Sequence, residues 1–236
     1  GLDLKTIDLL AGHSLGEYSA LCASGVVSLR DTAIILRKRG IAMQKAVSEG
    51  KGSMVAVLGL TSEAVNEFII ESKCDKHLIQ VANDNDPSQV VISGEKKEVE
   101  KFSAFLKQKN VKRIIKLPVS APFHSPLMKP AALTMKSELR KVNLSNPIVP
   151  IIQNVDLSIL GSTEGLVDRL VKQICGTVRW RESLIKMADE YDIKNFFEIG
   201  PGKVLAGTVK RTIPDANVLS VGLAPQIDQA LEIIND

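Results

Sequence analysis

Short apolar runs alternate along this chain with longer segments whose apolar residues recur every three or four positions, the pattern of strands exchanging with helices. Ile7-Asp8-Leu9-Leu10-Ala11 reads as a short buried strand, and Glu17 to Ala23 as a helix with Tyr18, Leu21 and Cys22 on one face. A long helix is predicted over 28–49, with Ser28, Asp31 or Thr32 as its cap and Ile34, Ile35, Ile41 and Met43 on its apolar side. After the loop Glu49-Gly50-Lys51-Gly52-Ser53 come a strand at 54–58, a helix at 61–73, and strands at 78–82 and 89–93. The two strands flank a polar turn, Asn83-Asp84-Asn85-Asp86-Pro87. A helix at 95–109 and a strand at 111–117 complete the order strand, helix, strand, strand, helix, strand, which is the ferredoxin-like split βαβ arrangement.

Beyond it the predicted elements are a helix at 126–142, a strand at 149–153, helices at 162–174 and 183–191, a strand at 195–199, a helix at 203–211 and a strand at 218–221. Alternation of this kind argues for a parallel sheet with helices on its faces. The expected fold is therefore α/β: an α/β-hydrolase-like core from residues 1–48 and 118–236, with a ferredoxin-like subdomain, 49–117, inserted in it. No internal repeat or low-complexity tract interrupts this order.

Composition narrows the function classes. A net charge of +3 and 4% aromatic residues argue against nucleic acid as a partner. No apolar stretch approaches the roughly 20 residues that cross a bilayer, and no leader pattern is legible in Leu4-Lys5-Thr6-Ile7-Asp8. The three cysteines, Cys22, Cys74 and Cys175, are too far apart for C-x-x-C metal or redox spacing. They read as reduced thiols in a cytoplasmic protein, with no metal and no cofactor called for. A monomer is expected.

Gly12-His13-Ser14-Leu15-Gly16 carries the strongest chemical signal. A G-x-S-x-G between a strand and a helix is the nucleophile elbow, whose turn lifts the serine hydroxyl out at a helix N-terminus. There the Leu15 N–H and the helix dipole face a developing oxyanion. The plain alternative is a serine that caps its helix. Three histidines could serve as base. His13 adjoins Ser14 and should leave the elbow in another direction, while His77 lies between a charged turn and a strand. His124 lies in Leu117-Pro118-Val119-Ser120-Ala121-Pro122-Phe123-His124-Ser125-Pro126, where three prolines prevent regular helix, and it is the expected base. Asp168 and Glu198 are weak candidates to orient its ring, which a backbone carbonyl can do as well. Arg37-Lys38-Arg39 reads as a solvated face, yet Arg39-Gly40 pairs a guanidinium with a residue that permits close backbone approach. A buried Arg39 is what an acyl group with a free carboxylate would require. Gly200-Pro201-Gly202-Lys203 matches no phosphate-loop pattern and reads as a structural turn.

Five blocks in order give a specific resemblance. They are Ala11 to Leu21, Arg39-Gly40-Ile41-Ala42-Met43-Gln44, Asn83 to Gly94, Leu117 to Ser125, and Glu198-Ile199-Gly200-Pro201-Gly202-Lys203-Val204-Leu205. Together they resemble the bacterial malonyl-CoA:acyl carrier protein transacylases of the acyltransferase family. The resemblance implies a cytoplasmic S-malonyltransferase of fatty acid biosynthesis that passes malonyl from malonyl-CoA to acyl carrier protein through Ser14. It implies His124 as base, the Gln173 carbonyl as its orienting group, the Leu15 N–H as oxyanion donor and Arg39 as the clamp on the malonyl carboxylate. Met43, Phe123 and Asn85 are implied in substrate binding, with Leu15 and Phe123 selecting malonyl over larger α-substituted groups. An acidic carrier implies a basic surface, either Lys107, Lys109, Lys112, Arg113 and Lys116 or Lys203, Lys210 and Arg211. The family begins with a strand and a Gly-Gln-Gly-Ser-Gln loop that supplies a second oxyanion donor. This chain shows neither, so an N-terminal portion of the pattern is expected to be missing. Losing one such donor typically costs about 10²–10³ in rate. Two rival readings share the elbow: a serine esterase or thioesterase, which would not need Arg39, and a non-catalytic module that docks a carrier protein.

Overall fold

The computed structural model describes residues 3–235. Its elements, in chain order, are α1 (Leu15–Ala23), α2 (Leu29–Lys45), β1 (Gly52–Leu58), α3 (Ser62–Glu71), β2 (Ile79–Asp86), β3 (Gln89–Glu95), α4 (Lys96–Gln108) and β4 (Arg113–Lys116). They continue with α5 (Lys129–Leu139), β5 (Ile151–Ile152), β6 (Ile159–Leu160), α6 (Leu166–Cys175), α7 (Trp180–Tyr191), β7 (Asn195–Ile199), α8 (Val204–Thr212), β8 (Asn217–Val221) and α9 (Ala224–Asn235). The fold is α/β.

Local chemistry sets the helix starts. Ser28 accepts from the Asp31 N–H at the head of α2, Thr61 from Ala64 at α3 and Glu95 from Glu98 at α4. Each cap of this kind satisfies an orphan donor and contributes about 1 kcal/mol. Along α2, Ile35, Arg39 and Met43 fall four residues apart and are all buried, so one helical stripe carries a guanidinium into the core. That stripe packs with α1, α5, α6 and Ile151 in the largest apolar cluster.

β1 to β4 form one antiparallel sheet in the order β2-β3-β1-β4. α3 and α4 bury Val65, Ile69, Val99, Phe102 and Leu106 against Val57, Val90 and Ile92. A third cluster joins β5, α7 and α8 through Ile152, Trp180, Leu184 and Val209.

Four expectations need correction. The strand at 7–11 is reduced to one bridge, Leu10 to Ile151, with Leu4–Thr6 a 3-10 turn. Leu10 faces the first cluster and Leu9 and Ala11 the third, so the segment is extended and alternates, but only Leu10 is paired. Among the described residues, parallel pairing is confined to β7 with β8 and two isolated bridges, and β5 pairs β6 antiparallel. The turn expected at 83–87 belongs mostly to β2, which continues through two irregularities to Asp86 and bridges Val178 through Asn83. Its two aspartates are buried because they have partners: Arg181 binds Asp84 and Arg211 binds Asp86. Finally, Gly40 is exposed and an added Cβ there would meet nothing, so close approach is not what the Arg39-Gly40 pair provides. β6 and α9 had no counterpart in the sequence reading.

Candidate active site

The elbow is built at Gly12. A Cβ there would lie 2.0 Å from the backbone carbon and oxygen of Gly16, so the chain can double back only over glycine. The turn forces Ser14 to φ 53° and ψ −100°, outside the regions a serine ordinarily occupies. Its backbone is held from behind by Asn154, whose Oδ1 accepts from the Ser14 N–H at 2.7 Å and whose Nδ2 donates to the Gly12 carbonyl at 2.8 Å. The Ser14 side chain caps nothing in α1, which removes the capping explanation for its presence.

The hydroxyl points instead to His124. Ser14 Oγ lies 2.7 Å from His124 Nε2, and the other ring nitrogen, Nδ1, lies 2.7 Å from the Gln173 carbonyl oxygen. A carbonyl only accepts, so Nδ1 carries the proton and Nε2 offers its lone pair to the serine. His124 also has positive φ (54°), in a segment pinned by Gln80 Nε2 donating to its carbonyl and by Ser125 Oγ donating to Pro122. Burial, with the Arg39 charge as a smaller cause, pushes the His124 pKa down to about 3. The ring is therefore neutral, and ready to accept a proton, throughout the physiological range.

Arg39 reaches the same oxygen. Its Nη2 donates to Ser14 Oγ at 3.0 Å and to Gln173 Oε1 at 2.9 Å, and its guanidinium carbon stands 5.5 Å from the centre of the Tyr18 ring. Leu15 is the first residue of α1, so its N–H has no intrahelical partner. Ser14 Oγ thus meets a proton acceptor and a cation. That arrangement suits covalent transfer, through the serine, of an acyl group that bears a carboxylate.

Of the other sequence candidates, Met43 is buried one turn beyond Arg39, and Phe123 is half-buried beside His124. Asn85 Oδ1 lies 2.9 Å from His13 Nε2, and the His13 ring stands edge-on to Trp180. His77 is exposed. Asp168 pairs with Lys136, and Glu198 accepts from the N–H groups of Leu205 and Ala206, so neither approaches His124. Of the two basic stripes, Lys107, Lys112, Arg113 and Lys116 are exposed while Lys109 pairs with Glu71. In the second stripe Arg211 is spent on Asp86 and Lys210 on the Ala216 carbonyl.

Sequence reasoning missed Glu17, Asn154 and Gln80. Glu17 is 1% exposed, and burial pushes its pKa up to about 7 against the hydrogen bonds it accepts. A signal existed for two of these: Glu17 follows the elbow by one turn on a buried helical face, and Gln153-Asn154 ends an apolar strand.

A serine on a strained elbow, a histidine oriented by a carbonyl and a buried arginine define an acyl-transfer enzyme of serine type. The chain belongs to the acyl transferase domain family, whose pattern it matches over residues 5–232. It is 41% identical over 231 residues to the malonyl CoA-acyl carrier protein transacylase of Bacillus subtilis strain 168, covering 98% of this chain and 73% of that one. The enzyme of the same name from Escherichia coli K12 is 38% identical over 229 residues, with 97% and 74% covered. Among solved structures, the acyl-carrier-protein-S-malonyltransferase of Bartonella henselae superposes with a TM-score of 0.95 at 48% identity, covering 100% of this chain and 75% of that one. A malonyl-transacylase in complex with its type II PKS acyl-carrier protein gives 0.91 at 38% identity, with 96% and 72% covered.

Proposed function

We propose that this chain transfers the malonyl group of malonyl-CoA to the thiol of acyl carrier protein through a malonyl ester on Ser14. The observation that carries the reading is the single oxygen, Ser14 Oγ, held between His124 Nε2 and Arg39 Nη2. His124 removes the hydroxyl proton as Oγ attacks the thioester carbon, and the carbonyl oxygen becomes an oxyanion beside the Leu15 N–H. The intermediate collapses with cleavage of the carbon–sulfur bond, and His124 returns its proton to the leaving CoA thiol. The same steps run in reverse order with the carrier thiol as nucleophile, so the cycle is ping-pong.

Arg39 supplies what a simple esterase lacks. Its fork pairs the malonyl carboxylate, holding the ester for the incoming thiol. An esterase has no use for a buried cation 3.0 Å from its nucleophile. Met43 and Phe123 bound the acyl pocket in this reading, and Asn85 contacts the donor from the β2 side. The βαββαβ unit is a ferredoxin-like subdomain over 49–117, set into an α/β-hydrolase-like core formed by 1–48 and 118–236; the order β2-β3-β1-β4 supports the first of these. The exposed Lys107, Lys112, Arg113 and Lys116 face an acidic carrier. The setting is fatty acid synthesis in the cytoplasm, in accord with three free cysteines.

The partition of malonyl groups tests this reading. With malonyl-CoA and the phosphopantetheinylated carrier supplied together, malonyl-carrier should accumulate and free malonate should stay minor. Malonate as the main product would make the chain a thioesterase.

A further inference from the structure

Behind the elbow lies a layer of buried polar groups that the acyl-transfer steps do not use. Glu17 Oε1 accepts from Gln153 Nε2 at 3.2 Å. Its Oε2 accepts from the Asn154 N–H at 3.3 Å and from Gln173 Nε2 at 2.8 Å. Gln173 is fully buried. Its Nε2 donates a second time, to the Ser14 carbonyl at 2.8 Å, and its Oε1 accepts from Arg39 Nη2 at 2.9 Å. The Gln173 side chain is thus the hydrogen-bonded link between the two buried ionisable groups Glu17 and Arg39. It also touches the nucleophile's own peptide.

The order of these groups leaves no freedom. An ionised carboxylate only accepts and a guanidinium only donates. An amide between them has one satisfied orientation, NH₂ toward the carboxylate and oxygen toward the guanidinium. Turned over, it would set donor against donor and acceptor against acceptor in a site sealed from water, where an unmet polar group is costly. Arg39 needs such an anchor, because its Nε is buried with no partner among the described residues.

Building on the malonyl-transfer reading, we propose that the Gln173 side chain, oriented by Glu17, is a positioning device that aims Arg39 at the donor's carboxylate. This role is separate from the Gln173 backbone carbonyl that faces His124. Two atoms of one residue then serve two functions: the carbonyl oxygen sets the base, and the amide sets specificity. Glu17 acts at one remove, as the acceptor that decides which way the amide points.

Replacing the amide while sparing the backbone separates the two roles. Transfer from malonyl-CoA and from acetyl-CoA is compared for the wild-type chain, Gln173→Met and Glu17→Gln, near pH 8, where Glu17 is ionised; Arg39 and Tyr18 are the other ionisable groups that face it. Gln173→Met should lower the malonyl-over-acetyl preference by about tenfold, the worth of one hydrogen bond to a charged group. The loss should appear as a raised KM for malonyl-CoA that exceeds any fall in acetyl transfer, because the amide also donates to the Ser14 carbonyl while the His124 contact runs through the backbone. Glu17→Gln, which keeps the shape but adds a donor where only acceptors stood, should shift the preference the same way by a smaller factor. Thermal unfolding of each variant accompanies the assay, and Glu17→Gln decides the matter if Gln173→Met does not fold. Equal loss with both donors, an unchanged or rising preference, or failure of both variants to fold would make the pair structural and overturn the proposal. A wild-type chain that transfers malonyl while Gln173→Met keeps its preference overturns this inference alone. A wild-type chain that transfers no malonyl overturns the functional reading and this one with it.

Discussion

His124→Ala should slow acylation of Ser14 by about 10²–10⁴-fold, the usual contribution of a positioned general base. The expectation follows from geometry: Nε2 lies 2.7 Å from the hydroxyl, and Nδ1 is committed to the Gln173 carbonyl, so the ring is held with its lone pair toward Oγ. The pH profile sharpens the test. A lowered pKa means that the charged form is lost as pH rises past about 3, well before an ordinary histidine would give up its proton. For acetyl-CoA, which needs no clamp, kcat/KM of the wild-type chain should therefore stay level from pH 7 down to about 5. A histidine at its usual 6.5 would already have lost about thirtyfold there. A fall with midpoint near 6.5 would show that the ring is more exposed to water and charge than its buried position requires.

Arg39→Ala should leave the nucleophile and base in place and remove the carboxylate's partner. Malonyl transfer should fall by about 10–100-fold relative to acetyl transfer, as expected for charge-assisted hydrogen bonds in a dry site. Arg39→Lys should recover only part of the preference, since an ammonium keeps the charge but cannot span both the Gln173 oxygen and a carboxylate as a fork does. Steady-state competition between the two thioesters measures this directly. Loss of both activities in equal measure would mean that Arg39 supports the fold of the site rather than its selectivity.

What was legible in the sequence was local. The elbow is a five-residue pattern whose tight approach involves Gly12 and Gly16 alone, and the proline-rich run around His124 announces an irregular segment. Arg39 stands out through the Arg39-Gly40 pair for a reason that the open surroundings of Gly40 overturn; what buries it is the stripe Ile35-Arg39-Met43, which the sequence reading did not use. The supporting layer was not legible, because its partners are remote in the chain: Glu17 meets Asn154 and Gln173, and Gln80 meets His124 and Cys175, across separations of 44 to 156 residues. The run Asn83-Asp84-Asn85-Asp86-Pro87 misleads for the same reason. Its composition is that of a turn, and only Arg181 and Arg211, about a hundred residues onward, make it a buried strand end. The strand at 7–11 shows the converse: its alternation is right, but pairing needs neighbours, and Leu10 alone has one.

The central claim is that Ser14 carries the malonyl group, and the mass of the intact protein after brief mixing with malonyl-CoA tests it most directly. A single malonyl adduct on the wild-type chain should appear, be absent from Ser14→Ala, and disappear when the carrier thiol is added. No adduct on a folded wild-type chain, or an adduct that persists in Ser14→Ala, would contradict the account.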